Sequence, residues 1–118
     1  MKKTILITGC SSGIGYCVAK GLHARGYRVF ATARRRDSVE MLLAEGLESF
    51  HLNLTDSNSI NFAFEEVMRR TDGELYALFN NGAYGLPGAV EDLSRDALRE
   101  QFETNVFGWQ ELTNLVVP

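Results

Sequence analysis

Along the chain, short apolar runs alternate with longer stretches whose apolar residues recur every three or four positions. Residues 3–8, 28–32, 48–53 and 75–79 read as strands. Residues 14–25 and 38–44, a stretch opening at Asp56 and Ser57, and a last run from about 94 toward 116 read as helices. Gly26 and Gly46 stand just past helix ends, where a left-handed residue is favoured. Ile60, Phe62, Ala63, Phe64, Val67 and Met68 give the third helix its apolar face. Alternating strands and helices joined by short connections predict parallel strands with right-handed crossovers, and so an α/β, doubly wound parallel sheet. Strands covered on both faces read as continuous apolar runs, as Ile5-Leu6-Ile7 and 75–79 do. No linker, repeat or domain boundary interrupts residues 1–118, which read as one domain.

The first strand-to-helix junction carries the most chemistry. It reads Thr8-Gly9-Cys10-Ser11-Ser12-Gly13-Ile14-Gly15. A helix N-terminus with free N–H groups accepts a pyrophosphate without a dedicated basic residue. Gly9 is expected to allow the sharp turn, Gly13 to let backbone approach phosphate, and Gly15 to let the helix lie close on the sheet. A tight turn without a ligand is the plainer alternative.

Composition narrows this picture. The 118 residues are 45% hydrophobic and 23% charged with net charge −3, a globular balance with no general attraction to nucleic acid or anionic membrane. No apolar run is long enough to span a membrane, and the N-terminal one is too short for a signal peptide, so a cytoplasmic location is expected. Cys10, Cys17, His23 and His51 lack metal-ligand spacing and are read as structural, with no metal site.

The ends of the later strands decide what sits on the cradle. About twenty residues past the glycine turn, an acid would grip a ribose 2′-hydroxyl. This chain has Ala33-Arg34-Arg35-Arg36 there, with Asp37 the first acid. Guanidinium groups pair with a 2′-phosphate, which favours NADP, with Arg34 the first candidate and Arg35 the second. A solvated basic turn is the alternative. The third strand ends in Asn53-Leu54-Thr55-Asp56 and the fourth in Asn80-Asn81-Gly82-Ala83-Tyr84-Gly85, small and amide residues that suit either a flat ligand or a simple turn. Leu86, Pro87 and Gly88 could touch substrate or form an ordinary loop.

Thr8–Gly15, Asn53-Leu54-Thr55-Asp56, Asn80-Asn81-Gly82 and Asn105-Val106-Phe107-Gly108 occur in the order found in short-chain dehydrogenases/reductases. Over essentially its whole length the chain resembles the N-terminal half of that family. The resemblance implies a three-layer Rossmann-like fold, here ending after the fourth strand and the following helix, and a nicotinamide cofactor. Carried over by position, Gly9, Ser11, Ser12, Gly13, Ile14 and Gly15 would line the pyrophosphate and adenosine ribose. Arg34 would mark NADP preference, and Asn53 and Leu54 would flank adenine. Asn80, Asn81, Gly82 and Ala83 would border the ribose and nicotinamide side, and Asn105 would join the proton relay. Asn53 departs from the family's usual Asp. Gly82-Ala83 reverses the usual Ala-Gly, a variant associated with reductases of steroid- or retinol-like alcohols and ketones.

The family's hydride transfer between nicotinamide and an alcohol or carbonyl carbon uses a serine and a Tyr-x-x-x-Lys pair that follow the last helix. Tyr16, Tyr27, Tyr76 and Tyr84 all lie elsewhere in the order of elements, and no Tyr-x-x-x-Lys is expected in these residues. These residues alone are expected to bind nucleotide with negligible activity. Strand 75–79 is expected to be an apolar edge. Phe102, Val106, Phe107, Trp109, Leu112, Leu115, Val116 and Val117 are expected to lose cover, which predicts a homo-oligomer. A non-catalytic NADP(H) sensor and a module that associates with another polypeptide are the alternatives.

Overall fold

A computed structural model describes residues 2–82 and 87–117. Four strands, β1 (Thr4–Ile7), β2 (Arg28–Ala33), β3 (Glu48–His51) and β4 (Ala77–Phe79), form one parallel sheet in the order β3-β2-β1-β4. Winding runs outward from β1 to β3, then returns to β4 on the other side of β1. That reversal opens a crevice at the carboxyl ends of β1 and β4, where ligands of such sheets bind.

Alternate strand residues feed two cores. Ile5, Ile7, Val29, Ala31 and Ala33 face α1 (Gly13–Ala24) and α2 (Arg36–Ala44), where Ala19 and Leu42 are buried. Leu6, Phe30 and Phe50 face the other way, onto Ile60, Ala63 and Val67 of α3 (Ser57–Thr71) and Leu112 of α5 (Trp109–Val116). The result is the expected three layers, with β1 wholly buried between them.

Element bounds differ from the sequence reading for identifiable reasons. Strand β3 stops at His51 rather than residue 53. Leu52 still donates to Ala33 O, but the Asn53 N–H turns to Ser59 Oγ at 2.8 Å and leaves the ladder. Helix α2 starts two residues early because Asp37 sits in its first turn and accepts the Ser38 N–H. Strand β4 is shorter than 75–79, although the Tyr76 N–H still donates to Thr4 O on β1 at 3.0 Å. Asp56 caps α3 as expected, accepting from Asn58 N–H.

The last helical run is continuous but not uniform. It comprises α4 (Arg95–Phe102), a π-helical segment at Glu103–Gly108, and α5. A short 3-10 turn, Val90–Asp92, precedes it. The expectation of lost cover holds only in part. Leu112 is fully buried, and Trp109, Leu115 and Val116 pack on the second core, while Phe102, Val106, Phe107 and Val117 are exposed. Helix α5 gains this cover by packing against α3.

Candidate functional site

The turn after β1 is built by close backbone approach. Gly9 has φ +68°, and a Cβ there would lie 2.7 Å from Gly82 Cα. A Cβ on Gly15 would lie 2.2 Å from Gly9 O, so the first turn of α1 rests directly on the glycine turn. Gly13, at φ +63°, has nothing within 4 Å of the Cβ position, leaving its backbone open to approach. Ser12 precedes the helix without capping it through its side chain, and no acid lies in the first turn. The N–H groups that start α1 therefore keep their donor capacity and positive field.

The end of β4 braces this turn. Thr8 Oγ1 accepts from the N–H groups of Asn81 at 3.0 Å and Gly82 at 2.6 Å. Asn81 Nδ2 donates to Gly9 O at 3.1 Å. Asn80 Nδ2 reaches the other way, to Thr113 Oγ1 on α5 at 3.1 Å, and Trp109 Nε1 donates to Gly82 O. Asn80 Oδ1 is buried with no hydrogen-bond partner among the described residues. The Asn80-Asn81-Gly82 signature thus serves as a strut between the glycine turn and the last helix. That role needs three elements brought together, and the sequence could not display it.

A cavity of about 770 Å³ runs along the carboxyl ends of the strands. Of the residues singled out from sequence, Gly9, Ser11, Arg34, Asn53, Leu54 and Gly82 line it. Ser12, Gly13 and Ile14 follow Ser11 at the exposed start of α1, while Gly15 is buried beneath the turn. Arg35 does not line the cavity. Its guanidinium forks onto Asp37 at 3.1 and 3.2 Å, whereas Arg34 makes no ion pair among the described residues. Ala83 lies outside the described residues. Asn105 is half-buried in the π-helical segment, directly after Thr104, which reaches the cavity wall. Local π geometry inside a helix recurs at functional sites.

Glu100, Glu103 and Thr104 also line the cavity and went unnoticed in the sequence. Their i, i+3, i+4 spacing puts them on one helix face, but a solvated polar face has the same pattern.

One expectation needs correction. The spacing Tyr-x-x-x-Lys does occur, at Tyr16 and Lys20. Both side chains meet Glu45 at the end of α2, the Tyr16 hydroxyl by a 2.5 Å hydrogen bond and Lys20 by a 3.3 Å ion pair. The carboxylate accepting from Tyr16 raises the phenol's pKa, and that bond in turn lowers Glu45. An acid/base tyrosine beside a lysine needs the opposite shift, so this trio ties α1 to α2 and offers no acid/base pair.

Against known proteins, a family model described as short chain dehydrogenase matches residues 3–118. The oxidoreductase YbbO of Escherichia coli (strain K12) is 39% identical over 118 residues, which are 100% of this chain and 44% of that protein. A crystal structure of a short-chain dehydrogenase from Streptomyces avermitilis superposes with TM-score 0.92 at 34% identity, over 100% of this chain and 44% of the other. An actinorhodin polyketide ketoreductase, its F189W variant solved with NADPH, superposes with TM-score 0.90 at 29% identity, over 98% and 46%. The chain spans less than half the length of each of these relatives. With the family model matching it almost from end to end, the chain belongs to the short-chain dehydrogenase family.

Proposed function

We propose that the chain is the NADP-binding part of an oxidoreductase that moves hydride between nicotinamide and an alcohol or carbonyl carbon of a small molecule. When bound, the cofactor supplies or accepts that hydride. The fit rests on three features of the site: the uncapped start of α1, the open backbone at Gly13, and the cavity reaching from Ser11 to Arg34 and Leu54. Ser11, Ser12, Gly13, Ile14 and Gly15 hold the pyrophosphate through their backbone, with Gly9 setting the turn. Asn53 and Leu54 flank the base. Asn80, Asn81, Gly82 and Ala83 border the nicotinamide ribose. Asn105 contributes to the proton relay of the longer enzyme.

The choice of NADP over NAD is carried by Arg34. It lines the cavity without an ion pair among the described residues, and the nearest acid in sequence, Asp37, is held by Arg35 and the Ser38 N–H. Arg35 is accordingly a poorer phosphate partner than the sequence suggested. Titration of NADPH and NADH against wild type and Arg34→Ala tests this. The variant is expected to lose about tenfold in NADPH affinity, as for one charge-assisted hydrogen bond, with NADH unchanged. Equal affinity of the wild type for both cofactors rules the NADP reading out.

These 118 residues bind nucleotide but do not turn over substrate, because Tyr16 and Lys20 hold the only Tyr-x-x-x-Lys spacing and are tied to Glu45. A steady-state assay with NADPH and a panel of carbonyl compounds should show no turnover, and a rate near about 1 s⁻¹ overturns this. Exposed Phe102, Val106 and Phe107 together with the β4 edge support self-association, which sedimentation of the chain at high concentration checks; a stable monomer contradicts it. The expected compartment is the cytoplasm. Among the described residues no helix is long and apolar enough to cross a membrane.

A further inference from the structure

Asn53 stands where the chain leaves the sheet after β3, on the cavity wall between Leu52 and Leu54. Both neighbours are buried apolar residues, so Asn53 is the polar side chain of this stretch of wall. Two donors orient it. The Thr55 backbone N–H donates to Asn53 Oδ1 at 3.0 Å, and the Thr55 hydroxyl donates to the same oxygen at 2.8 Å. A backbone N–H can only donate. The atom facing Thr55 is therefore the carbonyl oxygen and not the amide nitrogen, and the usual ambiguity of an asparagine side chain is removed. The Asn53 N–H is itself fixed on Ser59 Oγ at 2.8 Å. What the side chain retains is its NH₂ group, two hydrogens with no acceptor among the described residues.

From this geometry we infer that Asn53 reads the nucleotide base as a hydrogen-bond donor, selecting an acceptor on the base edge. The inference rests on the dinucleotide reading of the cavity. An acid at this position would have the opposite polarity. One carboxylate oxygen could keep both Thr55 bonds, and the other would accept only, selecting an amino group. Adenine offers both polarities side by side, a ring-nitrogen acceptor next to an amino donor, and hypoxanthine reverses them at the same two positions.

The experiment uses the 118-residue chain, as wild type and Asn53→Asp. Affinities for NADPH and for its hypoxanthine analogue are measured by calorimetry. The two ligands share every phosphate, so any repulsion from the new carboxylate cancels in the ratio of their affinities. That ratio is expected to move toward the hypoxanthine analogue in Asn53→Asp by about fivefold or more, the size of one net hydrogen bond. A shift toward hypoxanthine places the Asn53 amide on N1, the acceptor of adenine. A shift toward adenine places it opposite the C6 amino group, where it cannot donate to NADPH, and overturns the inference. A ratio equal in the two proteins within about twofold overturns the inference while leaving the dinucleotide reading intact. Failure of wild type to bind either ligand overturns both. Should Asn53→Asp not fold, the side-chain amide protons of Asn53 in ¹⁵N-labelled wild type decide instead. They move downfield on saturation with NADPH if the amide donates, and unchanged protons overturn the inference.

Discussion

The two ends of the same parallel strands are finished in opposite ways. At the amino ends, charges meet charges. Arg28, opening β2, forks onto Glu48, opening β3, at 2.7 and 3.0 Å and also donates to Arg70 O at 3.0 Å. Arg70 lies 3.7 Å from Glu48 and pairs with Glu66 at 2.7 Å. At the carboxyl ends, donors are left facing open space: the start of α1, the Arg34 guanidinium and the Asn53 amide. Paired charges hold elements together, whereas unpaired donors around a cavity await a ligand. The contrast supports the proposed recognition end without reference to any relative.

The largest effect that would test this contrast comes from glycines at the carboxyl end. Gly15→Ala drives a methyl to 2.2 Å from Gly9 O, a backbone atom that cannot swing aside. A loss of about 3 kcal/mol or more is expected by urea denaturation. Unchanged stability would mean that the turn is not a close backbone contact.

Next comes a pH effect at the same end. Burial pushes the Cys10 thiol up to about 11. The folded state thus holds this proton more tightly than the unfolded one. Its stabilising contribution is complete below about pH 8.5 and is lost as pH rises through about 11. Between neutral pH and pH 10.5 the wild type should lose about 2 kcal/mol more than Cys10→Ala, read from denaturation curves. Parallel curves would place the thiol in solvent.

Gly13→Ala separates folding from recognition. No atom stands near the Cβ position, so only the left-handed backbone resists, at about 1–2 kcal/mol. The variant should fold yet bind NADPH about tenfold more weakly, because the methyl occupies the approach to the backbone. Full affinity would move the phosphates off this residue.

The smallest effect belongs to the amino end. The Arg28 guanidinium, with a lesser contribution from Arg70, holds the Glu48 carboxyl below its usual range. Its contribution is present above about pH 4.3 and is lost as pH falls through the depressed folded value. The pair is over one-third exposed, so Glu48→Gln should cost at most about 1 kcal/mol at pH 7 and less in high salt. The two proteins should be equally stable once the carboxyl is protonated. A larger loss would make the amino end a true anchor of the sheet.

Much of the site was legible where its chemistry is local. Gly9 and Gly15 declared the turn because the backbone there permits no side chain, and the absence of an acid at the end of β2 singled out Arg34, which lines the cavity. The rest depended on partners distant in sequence. Arg34 and Arg35 are indistinguishable until Asp37 is seen to hold one of them. Tyr16 and Lys20 share the family's spacing but meet Glu45 instead of a substrate. The sequence did not show that the Asn81 amide also supports Gly9 O across 72 positions of chain.

Hydrophobic period, turn residues and the order of elements are properties of neighbouring residues, so the chain alone determined the parallel sheet, its three layers and the glycine turn between β1 and α1. Which polar atoms remain free is a property of the packed molecule. A donor is satisfied or left over only after distant elements meet. Tertiary structure therefore decided that Arg34 stays available, that Asn53 presents its amide, and that Glu100, Glu103 and Thr104 close the cavity wall.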